Sequence, residues 1–493
     1  MNDPRVPNVP NVPNDPNDFE RLALAVSIAC GLLLAAATSS GQESLSARRA
    51  ALSYSEAKPV LEALRQDLLP AEMRGKTAAE IEAVWPVWVS RRDTEIRARV
   101  EDGDADSIIN LLQFGTTFTK QRRITEREPA GVQVRQAGTG VTVFVPSPLL
   151  KARIEDFVAA LASPGENERL RFARRVIERR GMELATENGR NRIRRYLEQR
   201  TEVVGSAPHA GTLVDPDAEL RDLTTIFRDR GLASDTAIWI DFGIERALEA
   251  MKARQLIQPR AVRRIAILGP GLDFADKQEG QDFYPEQTLQ PFALVDSLMR
   301  LGLSASGGLQ VTAFDLSPRV LQHLETARMR ARSGTPYTLV LPRDLDQPWT
   351  PDLTRYWETF GDRVGAVART AAPPPTAGRL AVRSIRVPPV AVLSVYPRDV
   401  NIVVQRLESL NQDERFDLIV ASNILIYYDV FEQSLAVSNL AAMLRPGGLL
   451  LSNDRIFELP DGPVASVGHT DVTYMELPGG GRRGDRIEWY QRR

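Results

Sequence analysis

The sequence predicts an α/β fold for the C-terminal half of the chain, preceded by a mostly helical region. Two apolar runs, Ile265–Leu268 and Val311–Phe314, have the character of buried strands. A tight turn, Gly269–Gly271, follows the first run, and Asp315 ends the second. In a parallel sheet, ligands bind outside the carboxyl ends of the strands, where the strand order reverses. The turn and the acid therefore predict a site for a nucleoside cofactor.

Length and composition limit the classes of protein that the chain can represent. With 493 residues, it is too long for one typical core, which predicts two domains and a tail. The 62 Lys and Arg residues nearly balance the 64 Asp and Glu residues, so no overall field favours nucleic acid or a membrane surface. The single cysteine, Cys30, excludes an intrachain disulfide, and three scattered histidines argue against a zinc site.

The N-terminus predicts two short segments before the first domain. Residues 1–18 are rich in proline and asparagine, and we expect them to be disordered. Residues 19–41 contain an almost wholly apolar run, Leu22–Ala37, whose length suits a signal peptide better than a full membrane span. We therefore expect a signal or membrane-anchor segment and a membrane-associated or exported protein. The alternative is a buried terminus in a cytoplasmic protein.

Residues 42–234 are predicted to form a mostly helical domain. Apolar residues recur there at spacings of three and four, between glycines, prolines and acids. The alternating stretch Val132–Val145 predicts a small β-hairpin among the helices. Arginines are dense from Glu168 to Arg200 but alternate with glutamates, which indicates a solvated, salt-bridged surface rather than a nucleic-acid interface.

Residues 235–493 are predicted to form the second domain, and its first helix is expected to begin after a cap at Asp235. Two nucleoside cofactors use a glycine turn and a ribose-binding acid: a nicotinamide dinucleotide and S-adenosylmethionine. The dinucleotide motif opens a helix whose amino end meets the pyrophosphate, yet the residues after Gly271 are rich in acids. S-adenosylmethionine has no phosphate and carries a sulfonium, so the acids favour this cofactor.

Further motifs follow in the last third of the chain. A buried strand, Phe416–Ala421, leads to Asn423 and the pair Tyr427–Tyr428, and a helix then precedes the turn Leu444–Gly448 and another apolar strand. This order resembles the class I S-adenosylmethionine-dependent methyltransferases over about residues 237–493. The run from Asn423 to Tyr428 is locally similar to the chemotaxis-receptor methyltransferases, which methylate glutamate side chains.

The resemblance implies a Rossmann-like sheet of seven strands and a set of site residues. The final hairpin, with strands at Val472–Leu477 and Arg486–Tyr490, would contain the antiparallel seventh strand. Asp399 is expected after a strand at Ala391–Tyr396, where it would reach the adenine amino group. Asn423 and Tyr427 would face the methyl group and the acceptor. The cofactor contacts implied in this way are Gly269, Gly271, Asp273, Asp315, Leu316, Asp399 and Asn423.

Three functions are compatible with the sequence. The first is methyl transfer from S-adenosylmethionine to an unidentified acceptor. The second is a non-catalytic, membrane-tethered or exported binding or scaffold protein with a degenerate methyltransferase fold, because Ile267 stands where many members carry an acid and Asp273 replaces a usual glycine. A nucleotide-dependent oxidoreductase is the third. An insertion at about residues 342–389 is expected to be either a lid or a surface elaboration.

Overall fold

The computed structural model describes residues 49–493 except 126–127, 136–141, 206–230, 274–280, 306–307, 371, 409 and 478. The first half contains β1 (Arg49–Ala51), α1 (Tyr54–Ala63), α2 (Ala78–Phe114), β2 (Gly131–Arg135), β3 (Thr142–Pro146), α3 (Pro148–Ala162), α4 (Glu168–Arg179) and α5 (Glu187–Gly205). From residue 235 follow β4 (Asp235–Thr236), α6 (Ile238–Ala253), β5 (Arg264–Leu268), β6 (Leu272–Asp273), α7 (Gln290–Arg300), β7 (Gln310–Asp315), α8 (Pro318–Arg332) and β8 (Tyr337–Asp344). The last part contains α9 (Pro351–Thr359), β9 (Ala366–Ala368), β10 (Leu380–Val387), α10 (Pro389–Leu393), β11 (Val395–Asp399), β12 (Gln405–Leu407), β13 (Phe416–Ala421), α11 (Val430–Met443), β14 (Leu444–Ser452), β15 (Val464–Glu476) and β16 (Arg482–Arg492).

A seven-stranded sheet forms the centre of the C-terminal unit, in the order β11-β7-β5-β13-β14-β16-β15. The first five of these strands run parallel, whereas β16 is antiparallel to both of its neighbours, β14 and β15. Counted along the chain, this is the order 3-2-1-4-5-7-6 with an antiparallel seventh strand. The sheet therefore has the seven strands and the antiparallel seventh strand that the resemblance implied, and the Rossmann-like fold is confirmed. The strand order reverses at β5, where a ligand is expected.

The apolar runs form strands because helices cover both faces of the sheet. Ile265 and Ile267 of β5 belong to a core shared with α6, α7, α8 and the insertion. Ala266 and Leu268 point to the other face and pack in a core with α1, the first half of α2, and α11. A parallel strand that is buried on both faces has a continuous apolar sequence rather than an alternating one.

The helical region packs in two different ways. Its beginning shares the core of the sheet. The rings of Trp85 and Trp88 in α2 stack with their centroids 5.1 Å apart, and the Trp88 ring packs against that of Phe431 in α11 with a centroid distance of 5.5 Å. Its later part has a separate apolar core, which runs from Ile108 to Leu197 and includes α3, α4 and α5. The 37 residues of α2 span about 55 Å at 1.5 Å per residue. This helix therefore connects the sheet to the separate helical core.

Several local expectations need correction or refinement. The strand expected at Ala391–Tyr396 is displaced, because Pro389 begins the short helix α10 and the strand β11 covers Val395–Asp399. The expected helix cap at Asp235 is wrong, since this residue lies in β4 and Ala237 precedes α6. The alternation at Val132–Val145 corresponds to the hairpin of β2 and β3.

The insertion between β7 and β11 forms an antiparallel sheet in the order β8-β10-β9, with α9 beside it. It begins at β8, somewhat before the expected start at residue 342. Tyr356, Trp357 and Phe360 are buried in the core that contains Ile265 and Ile267. The ring centroids of Tyr356 and Phe242 of α6 are 5.6 Å apart. The insertion is thus anchored in the body of the protein, behind the helices that cover the sheet.

The N-terminal expectations fall outside the residues that the structure describes. Both the leader, residues 1–18, and the apolar run Leu22–Ala37 precede the first described residue, Arg49. Within the described part of the chain, no helix has the length and apolar character needed to cross a membrane.

Candidate cofactor site

A cleft opens at the carboxyl ends of β5, β7 and β13. The space between its walls, open mouth included, is about 560 Å³. One side, which we name the sheet wall, is formed by residues at the ends of the strands: Leu268, Gly269, Phe314, Asp315, Leu316, Ser317, Val400, Ile402, Ile424, Tyr427 and Tyr428. The other side, the helical wall, consists of Val100 in α2 and the segment Leu232–Ser234.

The glycine turn lies at the floor of this cleft. Gly269 and Gly271 both have φ of 61°, a left-handed conformation that glycine adopts without strain. The Gly269 N–H donates to the carbonyl of Phe314 at 2.8 Å, which ties the turn to β7. Gly269 borders the cleft and faces Ile424, since a Cβ there would collide with its side chain. Gly271 instead packs against Ser234, whose carbonyl would lie 2.5 Å from an added Cβ.

Asp315 is the charged residue of the described cleft lining. Burial raises the pKa of its carboxyl to about 7, and the charge of Asp399 acts in the same direction, against hydrogen bonds from the backbone N–H groups of Ser317, Leu316 and Gly271. The Ser317 N–H donates to Oδ1 at 2.7 Å. These bonds orient the carboxylate in the cleft, where its remaining acceptor capacity suits hydroxyl groups.

Apolar side chains lie beside this acid. Leu316 follows it directly, and Val400 and Ile402 come from the chain after β11. A hydroxyl-accepting carboxylate beside an apolar surface is a suitable arrangement for a ribose joined to a flat base. No lysine, arginine or histidine occurs among the described lining residues, so a pyrophosphate would find no cation there.

Asp399 lies outside this lining, although it was expected to contact adenine. Its Oδ1 accepts from Arg97 Nη1 at 2.7 Å, and its Oδ2 accepts from Arg49 Nη1 at 3.0 Å. The carboxylate therefore joins β11 to α2 and β1. The next residue, Val400, is the one that borders the cleft.

The two residues expected near the acceptor differ in position. Tyr427 borders the cleft, and its carbonyl accepts from Arg99 Nη2 at 2.6 Å. Asn423 is exposed, lies outside the described lining, and has a left-handed φ of 55°. It exchanges two hydrogen bonds of 2.7 Å with Asn453, which follows β14. Asp273 lies in β6, opposite Thr236 of β4.

The turn between Asn423 and Tyr427 is fixed from the end of β14. Asp454 accepts the backbone N–H groups of Leu425 and Ile426 at 2.9 and 3.2 Å. Burial raises the pKa of Asp454 to about 6. Burial also raises the pKa of the neighbouring Tyr428, so its hydroxyl stays protonated at neutral pH.

The helical wall was not among the site residues predicted from the sequence. Leu232 donates its N–H to the carbonyl of Arg99 at 2.9 Å, which attaches the segment to α2. Gly103 permits this close approach, because a Cβ there would collide with the Leu232 carbonyl. A glycine inside a helical pattern can mark such an approach, and it was the one available signal in the sequence.

Comparisons with known proteins give matches among solved structures alone. No family model matches the chain, and no curated protein matches it. TrmN from Thermus thermophilus is 13% identical with a TM-score of 0.24, over 51% of this chain and 48% of that protein. The N-methyltransferase NodS from Bradyrhizobium japonicum WM9 is 12% identical with a TM-score of 0.23, over 57% of this chain and 99% of that protein. A TehB-like SAM-dependent methyltransferase from Corynebacterium glutamicum is 12% identical with a TM-score of 0.23, over 51% of this chain and 88% of that protein.

The chain therefore spans about half the length of TrmN. Because the TM-scores are low, it is the strand order of the sheet that shows the Rossmann-like fold.

Proposed function

We propose that the C-terminal unit binds S-adenosylmethionine and transfers its methyl group to an acceptor. The observation that carries the proposal is the position of Asp315 beside Leu316 and Gly269, in one cleft at the point where the strand order reverses. The Asp315 carboxylate would accept the ribose hydroxyls. The apolar surface of Leu316, Val400 and Ile402 would hold the adenine.

The chemistry requires little from the protein beyond binding and orientation. The cofactor supplies a methyl group that its sulfonium already activates. The chain would hold the acceptor in line with that methyl group and exclude water, which lowers the entropic barrier of the reaction. Tyr427 borders the cleft on the side that follows β13, so it would contribute to acceptor orientation. Asn423 would act at the rim, from its turn beside Asn453.

The lack of a cation in the described lining favours this cofactor over a dinucleotide. A pyrophosphate carries two negative charges, which would meet the acid Asp315 and no described Lys or Arg. The positive sulfonium has no such conflict. The oxidoreductase alternative is disfavoured on the same ground.

A non-catalytic relative is the second candidate, and a specific observation favours it. Ile267 is fully buried in the apolar core, where many members of the superfamily carry an acid, and Gly271 packs against Ser234. A site that has lost part of its polar contacts would bind the cofactor weakly or not at all. In that case the fold would serve as a scaffold.

Calorimetric titration of the full chain with S-adenosylmethionine tests the proposal. We expect binding to the wild type and about a 100-fold weaker affinity for Asp315→Ala, because two hydrogen bonds to a charged group are lost. Asp417→Asn is the matched control, since this acid caps the amino end of the sheet by accepting the N–H groups of Arg263 and Arg264. A folded wild type that does not bind at millimolar cofactor would contradict the proposal and favour the scaffold.

A further inference from the structure

Two aspartates connect the helical region to the segments on either side of the glycine turn. We infer that Asp235 and Asp282 are positioning residues of the cofactor site, through which α2 and the turn after it set cofactor affinity. This inference rests on the proposed function. It assigns to the helical region a role in the site that the sheet alone does not explain.

The upstream connection is made by Asp235. Its Oδ1 accepts from Ser107 Oγ at 2.8 Å, and its Oδ2 accepts from Asn110 Nδ2 at 2.6 Å. Both donors are buried and lie three residues apart, on one face of α2. The carboxylate is thus held by two groups of the same helix.

Strand pairing links Asp235 to the residue that follows the glycine turn. The strand β4 pairs with β6, and Asp235 lies opposite Leu272. The Leu272 N–H donates to the carbonyl of Ser234 at 2.7 Å. Ser234 borders the cleft and also packs against Gly271. Asp235 therefore fixes a segment that touches both the turn and the cleft.

The downstream connection is made by Asp282, which is 4% exposed. Its two oxygens accept four hydrogen bonds of 2.5 to 3.0 Å, from the backbone N–H and the hydroxyl of both Thr116 and Thr117. These threonines follow Gly115, which ends α2. A carboxylate with four donors is firmly fixed, since hydrogen bonds to a charged group are the strong ones.

A buried arginine holds the threonine turn in place. Arg153 of α3 is 0% exposed and donates to the carbonyl oxygens of Leu112, Gly115, Gln121 and Arg122. Its positive charge also faces Asp282. The turn is therefore a preformed receptor for this carboxylate, built by the separate helical core.

The chain after Asp282 returns to the glycine turn. The Thr288 hydroxyl donates to the carbonyl of Pro270 at 3.3 Å, and α7 begins two residues later. The segments that contain Asp235 and Asp282 are thus each connected to the glycine turn and to the helical region. If either connection is lost, Gly269 and Ser234 lose part of the support that holds them at the cleft.

The test compares cofactor affinity with stability in full-chain variants. Asp235→Asn weakens the upstream connection, and the double variant Thr116→Val with Thr117→Val removes the two hydroxyl donors of the downstream one at nearly constant volume. Thr116→Ser with Thr117→Ser keeps the hydroxyls. Asp417→Asn is the matched control, because Asp417 accepts the N–H groups of Arg263 and Arg264 at the amino end of the sheet, at the opposite end from the cleft.

Each variant is titrated with S-adenosylmethionine in a calorimeter and unfolded thermally in the same buffer. We expect Asp235→Asn and the double valine variant to raise the Kd about tenfold, the effect of one hydrogen bond to a charged group. The serine pair should restore wild-type affinity. Asp417→Asn should lower the melting temperature and leave the Kd unchanged, so that loss of stability alone does not account for a raised Kd in the other variants.

Two results would overturn the inference and are distinguishable. If the wild type binds the cofactor and the valine and asparagine variants bind equally well, the aspartates serve stability alone, and the proposed function stands. If the folded wild type binds no cofactor, the proposed function fails, and the positioning role fails with it.

Discussion

The two walls of the cleft differ in how far apart in the sequence their parts lie. The sheet wall has its main features, Gly269 and Asp315, at the ends of neighbouring strands, where a short motif specifies them. The helical wall joins Val100 to Leu232–Ser234, which are more than 130 residues apart in the chain. The first wall follows from the general physics of parallel sheets. The second wall depends on the tertiary packing of α2 against the segment Leu232–Ser234.

This difference gives the walls different expected roles. The acid and the apolar surface of the sheet wall can recognise a nucleoside, whereas the helical wall is mostly apolar and contributes shape and exclusion of water. Variants in the helical wall should therefore change the affinity for the cofactor without abolishing the chemistry of recognition.

Val100→Phe should reduce the affinity for S-adenosylmethionine by more than about tenfold, because the larger ring would occupy cleft space opposite the sheet wall. Calorimetric titration measures the change. Val87→Phe is the matched control, since Val87 lies on the same helix and its side chain is 72% exposed. Equal affinities for the two variants would show that the helical wall does not border the bound cofactor.

Cofactor affinity should rise about tenfold between pH 6 and pH 8, since the pKa of Asp315 is raised to about 7 and its ionised form is the better acceptor for two hydroxyl groups. Titrations in buffers of matched ionic strength measure this slope. Asp315→Asn should bind weakly and show a flat profile. A steep profile in this variant would assign the pH dependence to another group.

The free energy of unfolding should fall as the pH rises, whereas the affinity for the cofactor should increase. The folded-state pKa values of Asp315, Asp235 and Asp454 are all raised above the ordinary value of 3.8. A carboxyl group whose pKa is higher in the folded state than in the unfolded state favours folding at a pH below the unfolded-state pKa. This contribution is lost as the pH rises from about 4 to about 7. Denaturant unfolding without cofactor should therefore show these carboxyls lowering stability over that window, and Asp315→Asn should reduce the loss.

Asp399→Asn should have the smallest effect on binding, less than about threefold, because its carboxylate pairs with Arg97 and Arg49 outside the cleft. The free energy of unfolding should fall by about 1 kcal/mol or less, since exposed ion pairs contribute little. A tenfold loss of affinity with unchanged stability would instead support the adenine contact that the resemblance implied.

The central sheet could be predicted because its information is local. Ile265–Leu268 and Phe416–Ala421 are continuous apolar runs, and such runs form strands when helices cover both faces of a sheet. The strand before Asp399 was misplaced because the apolar residues after Pro389 fit a strand, whereas the proline begins a short helix there. The sequence order of glycine turn, acid and later motifs then identified the fold.

The contacts between distant segments could not be predicted in this way. Arg97 and Asp399 are 302 residues apart, and nothing near either residue indicates the other. The same holds for Asp282 and its threonine receptor, which are separated by 165 or 166 residues. Such partners follow from tertiary packing, so the site residues of the sheet could be named while the helical wall and the two flanking aspartates could not.

Hydrogen exchange of the full chain, with and without S-adenosylmethionine, tests most directly whether both walls enclose the cofactor. We expect the cofactor to protect the amides of Gly269, Gly271 and Leu272 in and after the glycine turn, those of Leu316 and Ser317 in the sheet wall, and also those of Leu232–Ser234 in the helical wall. Protection of both walls would support a single site formed by the sheet and the helical region together. Protection confined to the sheet wall, or no protection at either wall, would contradict it.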